Sequence, residues 1–282
     1  MLTPILAIAT SLLFGASDFL GGLASRRESS VTVVANAHAL EIVIFAVVLL
    51  VAPAAHYAAL DLQLGMVAGI VGGVGVVSLY AALSIGRMGI VAPITAGLAG
   101  SLPALFDLLR GTEVGSRAVL GLALAIVAVV IVSLAPGHEE DEGRGMPPRA
   151  VALSVLAGSC FASGFIALSY TADASGFWPL LSARVTSTAL LVALALMTRR
   201  RLVADPTART AVVGAGVFEA LANVTMLSAI RIGPLAVASV LGSMFPVVVL
   251  LLARVFLGER LRWMQRGGVV LALLAVVLTA LP

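Results

Sequence analysis

Very few side chains in this sequence can carry or exchange a charge away from the chain's polar turns, and their spacing is regular. His38 and Glu41 stand three residues apart in "NAHALEIV" (36–43), within a run from Val31 to Pro53 that is otherwise almost wholly apolar. Glu219 and Asn223 stand four apart in "EALAN", and Arg184 lies alone in "LLSARVTS". On a helix, partners three or four apart share a face. A histidine beside a carboxylate makes a pair that can take and release a proton near neutrality. An arginine either pairs with such a carboxylate or offers a fork of donors to an anionic group. The spacing therefore predicts Glu41 as a proton-exchanging group with His38 as its partner. Arg184 is expected either to pair with Glu41 or Glu219 or to meet an anionic ligand group. The alternative is that these residues only tie helices together in closed pairs, and that is the leading expectation for Asp18 and Asp107.

The segments that must position these groups are apolar throughout. Of 282 residues, 61% are hydrophobic and 11% charged, against roughly 45–50% and 25% in soluble chains, and the mean hydropathy is +1.14. Ten runs, at 3–22, 31–53, 64–86, 89–109, 115–135, 150–171, 176–198, 210–230, 233–255 and 263–281, each approach the roughly 20 residues needed to cross a bilayer core. Runs such as "VLGLALAIVAVVIVSLA" are apolar on every side, unlike the two-residue alternation of barrel strands. The expected fold is an all-α integral membrane protein of ten helices. The first run lacks a positively charged leader and reads as a retained span. The single cysteine, Cys160, provides neither an internal disulfide nor a cysteine-cluster metal site.

The formal charge of +3 belongs to topology rather than to nucleic acid. All seventeen basic residues are arginine. Thirteen fall in connections 1–2, 3–4, 5–6, 7–8 and 9–10, whereas the opposite face has Arg110, Arg117 and Arg231. Arginine-rich short connections stay on the cytoplasmic side, so both termini are expected on the outer face of the cell (inner) membrane.

The chain also repeats itself. "ALSIGRMG" (82–89) recurs as "LSAIRIGP" (227–234), and "TEVGSRAVLG" (112–121) recurs as "GERLRWMQRG" (258–267), at spacings of 144 to 146 residues. The expected organisation is a first repeat at 1–135, an acidic linker at 136–149 and a second repeat at 150–282. Five spans per copy force the second to enter the membrane from the opposite side, an inverted-repeat arrangement shared by many secondary transporters. At the 146-residue offset, "NAH" (36–38) falls against "SAR" (182–184), so His38 occupies the place of Arg184. Pro103 and Pro246 lie in matching helices 4 and 9, and Pro93 also lies within a span. A proline there removes a helix hydrogen bond and is tolerated where protein or a wet cavity satisfies the freed carbonyl. Pro103 and Pro246 are expected to line a central cavity, with Tyr80, Phe161, Trp178 and Phe245 as walls. Gly65, Gly69 and Gly73 form a smooth stripe for close helix approach.

The order small-Leu-x-x-x-basic-x-Gly, a small-residue helix with a proline, Gly-Glu-Arg and a glycine-led last helix resembles the EamA repeat of the drug/metabolite transporter superfamily. Residues 225 to 281 keep Pro246, Gly258, Glu259, Arg260 and Gly267. The first copy departs from the pattern, with Thr112 at the glycine position and a shorter stretch from Pro103 to Glu113. The resemblance implies a secondary transporter with a small-molecule substrate, commonly an exporter of metabolites, amino acids or toxic compounds. It also implies arginine as the usual residue at position 184. No P-loop, metal-spaced cluster or Gly-x-Ser-x-Gly nucleophile occurs, so neither an enzyme nor a cofactor is expected. A membrane-embedded enzyme or lipid flippase without its signature is the alternative. The expected partners are the substrate, protons as a coupling ion and the lipid bilayer, with the chain acting as a monomer or homodimer.

Overall fold

The computed structural model describes residues 2–54, 56–86, 88–112, 115–134 and 147–257, with isolated positions between 263 and 278. The helices are α1 (Leu2–Ala24), α2 (Ser30–Val51), α3 (Ala59–Ile85), α4 (Met88–Leu109), α5 (Ser116–Leu134), α6 (Pro148–Ser169), α7 (Trp178–Met197), α8 (Pro206–Ile232), α9 (Leu235–Gly242) and α10 (Phe245–Leu257). No strand occurs among the described residues. Among the described residues, seven spans are long and apolar enough to cross a membrane: α1, α2, α3, α6, α7, α8 and the stretch Leu235–Phe256. Arg87, Glu113, most of the acidic linker, and the motif residues Gly258, Glu259 and Arg260 lie outside the described residues. So does most of the tenth expected span.

The ninth expected span, 233–255, corresponds to the stretch Leu235–Phe256, which is divided into two helices that meet at Ser243 and Met244. Pro246 has no N–H to offer the carbonyl of Gly242, so the regular ladder cannot pass this point. Instead, the Ser243 N–H donates to Ser239 O at 2.9 Å and the Met244 N–H to Leu241 O at 3.2 Å, closing α9 with a turn. Pro103 leaves α4 continuous. Asp205 starts α8 by accepting the Thr207 N–H at 3.0 Å, and Pro206 takes the first helical position, where a missing N–H costs nothing.

Helices of the first half pack mainly on those of the second: α1 on α8, α2 on α7, α3 on α6 and α7, and α4 on α6 and α9. Small residues permit the closest approaches. A methyl group at Gly69 would collide with the Ala183 backbone, and one at Gly65 with that of Pro179, so the Gly65, Gly69 and Gly73 stripe lies against α7. One core cluster, built on Val33, Val34, Leu79, Tyr80 and Leu191, fills the space between α2, α3 and α7.

At one end of the bundle, several polar contacts tie helix ends and the α6–α7 loop together. Asp61, at the start of α3, accepts the Ala172 N–H at 3.1 Å and the Ser175 hydroxyl. Arg231, at the end of α8, donates to Gly176 O at 2.7 Å and Ala172 O at 3.0 Å. Asp107, near the end of α4, accepts the Ala236 N–H at 2.9 Å and so caps α9. The Arg110 guanidinium lies 4.8 Å from the centre of the Tyr170 ring. At the other end, Arg26, Arg27, Glu28 and Ser29 share a cleft with Arg199, Arg200 and Arg201.

Candidate functional site

His38 and Glu41 come from α2, Arg184 from α7 and Glu219 from α8, and the structure brings all four together. Their exposures are 0%, 0%, 6% and 3% in that order. The pairing of α2 with α7 and of α2 with α8 makes the meeting point, aided by Gly216, where a side chain would press on the Ala37 backbone one turn from the cluster. Arg184 is the hub. Its Nε lies 2.8 Å from Glu41 Oε2, its Nη2 donates to Glu219 Oε1 at 3.2 Å, and its Nη1 lies 3.2 Å from His38 Nε2. Of the two expectations for Arg184, the carboxylate pairing is the arrangement present, with both glutamates at once.

His38 is held at both nitrogens. Nδ1 lies 2.8 Å from Ser187 Oγ, while Nε2 faces the Arg184 donor and also Glu219 Oε1 at 3.3 Å. The two neighbours of Nε2 make opposite demands. A neutral ring protonated at Nδ1 accepts from Arg184, whereas a doubly protonated ring donates from Nε2 to Glu219. One atom can therefore switch partners on gaining a proton, and the ring need not move.

The cluster is close but incompletely satisfied. Neither oxygen of Glu41 receives a well-aligned hydrogen bond despite the short distance to Arg184, and Oε2 of Glu219 also lacks one. Such unmet acceptors are costly in a dry interior. With Arg184 as the one permanent cation beside two carboxylates, a proton on His38 or on either glutamate balances the charge. His38, Glu41 and Glu219 present potential ligand atoms within 4.8 Å of one another, but the guanidinium already reaches all three residues and competes with a metal ion for them.

Beside the cluster, a cavity of about 70 Å³ runs between the halves. Arg184, Glu219 and Asn223 line it, as do Asp18, Ser243 and the rings of Phe14, Phe161, Phe165 and Phe245. Asn223 also donates to the Glu219 carbonyl of its own helix at 2.8 Å. His38 and Glu41 sit behind Arg184 rather than on the cavity wall. Tyr80 does not line it either. The Ser17 hydroxyl donates to Ala215 O at 2.9 Å, which leaves the Tyr80 hydroxyl to donate to Ser17 Oγ at 3.2 Å. Pro103 and Pro246 are buried off the wall, although Ser243, Phe245 and Gly242 beside Pro246 form part of it. Trp178 stacks on Tyr57 at 5.2 Å near the start of α7.

Sequence reasoning missed Ser187, which lies three residues after Arg184 and so on its helical face. It also ranked Asp18 with Asp107 as a structural tie. The structure separates the two, with Asp107 bonded to the α9 terminus and Thr112 and Asp18 on the cavity wall.

Residues 148–281 match the EamA-like transporter family. No curated protein matches the chain. A solved structure described as "Crystal structure of protein" shares 16% identity and a TM-score of 0.75, covering 99% of this chain and 96% of its own. That likeness concerns the fold alone, and it extends over both halves. With seven helices long and apolar enough to cross a membrane among its described residues, the chain is a multi-pass membrane protein whose second half, residues 148–281, is similar to the EamA-like transporter family.

Proposed function

We propose that this protein is a secondary active transporter of the inner (cytoplasmic) membrane that exports a small metabolite, amino acid or amphipathic toxicant. In this reading, two inverted repeats, 1–135 and 150–282, rock about the cavity between them, with the acidic segment 136–149 as the linker. Proton exchange at the His38, Glu41, Arg184 and Glu219 cluster drives the movement.

The observation that carries the proposal is this buried cluster, set on the seam between the halves and beside the cavity. Helix packing supports the repeat. If α1, α2 and α3 are exchanged for α6, α7 and α8, the α1–α8 contact becomes α6–α3, and the α2–α7 contact becomes itself; all are present. Positions 38 and 184, equivalent at the repeat offset, touch directly across α2 and α7. Equivalent residues meet in this way only near a two-fold axis. The sharing of one cleft by connections 1–2 and 7–8 fits a common cytoplasmic face, with both termini outside.

The cavity also favours moving halves. A drug-sized ligand needs roughly 300–1,000 Å³, so a space of about 70 Å³ must widen before a metabolite can enter. The test is Glu41→Gln in proteoliposomes. Flux driven by a proton gradient should disappear while the protein remains folded and inserted. Unchanged proton-driven flux would remove Glu41 from the coupling step.

A further inference from the structure

The charges around the cavity do not balance, and the imbalance has a sign. Among the described residues, Arg184 is the one permanent cation on its wall, and it is already engaged by Glu41 and Glu219. Asp18 also lines the cavity, is 7% exposed, and makes no hydrogen bond or ion pair among the described residues. Ser243 contributes a buried hydroxyl without a partner, and Glu219 a buried oxygen without one. With the carboxylates ionised, the cluster and Asp18 together hold three negative groups against one guanidinium. A proton on His38 still leaves a negative excess.

The remaining wall is apolar, with four phenyl rings set among small and aliphatic side chains. Phe14 comes from α1, Phe161 and Phe165 from α6, and Phe245 from α10, so both halves supply rings. Ring faces attract cations and accept flat apolar groups. The Ser17 bond to Ala215 ties α1 to α8 one turn before Glu219, holding Asp18 and Glu219 beside the same opening.

We propose that this cavity binds a monovalent organic cation, an ammonium group on an aromatic or aliphatic body, with Asp18 and Glu219 as its anionic seats and the phenyl rings around its body. The inference rests on the transport reading and narrows its substrate class. Zwitterions and anions are disfavoured because the guanidinium that would receive a carboxylate is already occupied. Protons and the cation compete for the same carboxylates, so loading one releases the other.

The test uses three probes that share a phenyl ring and differ in charge: 2-phenylethylammonium, phenylalanine and phenylacetate. Binding to the purified full chain is measured by titration calorimetry in detergent, with empty micelles as the blank. The expected result is that the ammonium binds at least about tenfold more tightly than either other probe, and that Asp18→Asn weakens it by about tenfold or more. Asp18→Glu, which keeps the charge, should retain binding, and lowering the pH from 8 to 5.5 should weaken it. A tighter fit for phenylalanine or phenylacetate, no binding of the ammonium, or unchanged binding in a folded Asp18→Asn protein overturns the inference. Flux in proteoliposomes separates this failure from that of the transport reading. Phenylalanine flux without ammonium binding removes the cation site and keeps the transporter, whereas ammonium binding without flux of any probe keeps the site and removes transport.

Discussion

Replacing Arg184 with glutamine tests whether the buried cluster is held together by charge. The side chain lies 2.8 Å from Glu41 Oε2 and 3.2 Å from Glu219 Oε1. At an effective dielectric of about 20, each pair is worth roughly 5–6 kcal/mol of gross attraction. Most of that offsets the desolvation of the ions, and losing one partner of a buried pair typically costs about 3–5 kcal/mol. At roughly 2–4 °C per kcal/mol, Arg184→Gln should lower the apparent melting temperature by roughly 6–20 °C. The assay is thermal unfolding of the purified protein in a mild detergent. Adding Glu41→Gln removes one of the stranded carboxylates, and the double variant should regain about 1–3 kcal/mol relative to the sum of the single losses. A fall below about 2 °C for Arg184→Gln would refute the reasoning, as would strictly additive single and double variants.

Further outcomes follow from the geometry. Gly69→Ala sets a methyl group against the Ala183 backbone and should cost about 1–3 kcal/mol in the same melt. Gly72→Ala, where a methyl meets nothing within 4 Å, should leave stability unchanged. Tyr80→Phe should lose only about 0.5–1.5 kcal/mol for one hydroxyl bond and keep full flux in proteoliposomes; flux lost without stability would put the hydroxyl on the transport path. At the exposed start of α8, the Thr207 N–H and then its hydroxyl hold the Asp205 carboxyl below its usual range. A depressed folded value means that the cap is fully present above the unfolded value and is lost as pH falls through the folded one. Protection of the Thr207 amide in hydrogen exchange, corrected for the intrinsic rate, should therefore decline in that acidic window in the native chain. It should show no such pH step in Asp205→Asn.

How much of this was legible depends on whether the signal was local. Hydropathy located the seven spans found among the described residues because hydrocarbon crossing depends on composition summed along the chain. It misplaced ends where polar residues join a helix. The α8 start at Pro206 lies four residues before the expected 210, since "PTAR" is helical through its Asp205 cap despite being polar. Likewise, α3 begins at Ala59 rather than 64 because Asp61 sits in its first turn and bonds to the loop between α6 and α7. The proline in the ninth span signalled a disturbed ladder. Its local sequence could not show that the disturbance would divide the segment while Pro103 left α4 whole.

The site was legible as a set of unusual residues and illegible as a set of contacts. Helices that are apolar on all sides have no preferred inward face, so only their rare polar groups report orientation. His38 and Glu41 therefore announced a protein-facing side of α2, and Arg184 one side of α7. Choosing between Glu41 and Glu219 as the arginine's partner required the third helix, which places both within reach. Asp18 and Asp107 make the limit plain, since both are aspartates near the end of an apolar span. One accepts an N–H from a helix start 129 residues further on, and the other faces a cavity built from both halves. Only the folding of distant segments against them makes one a tie between helices and the other an open charge.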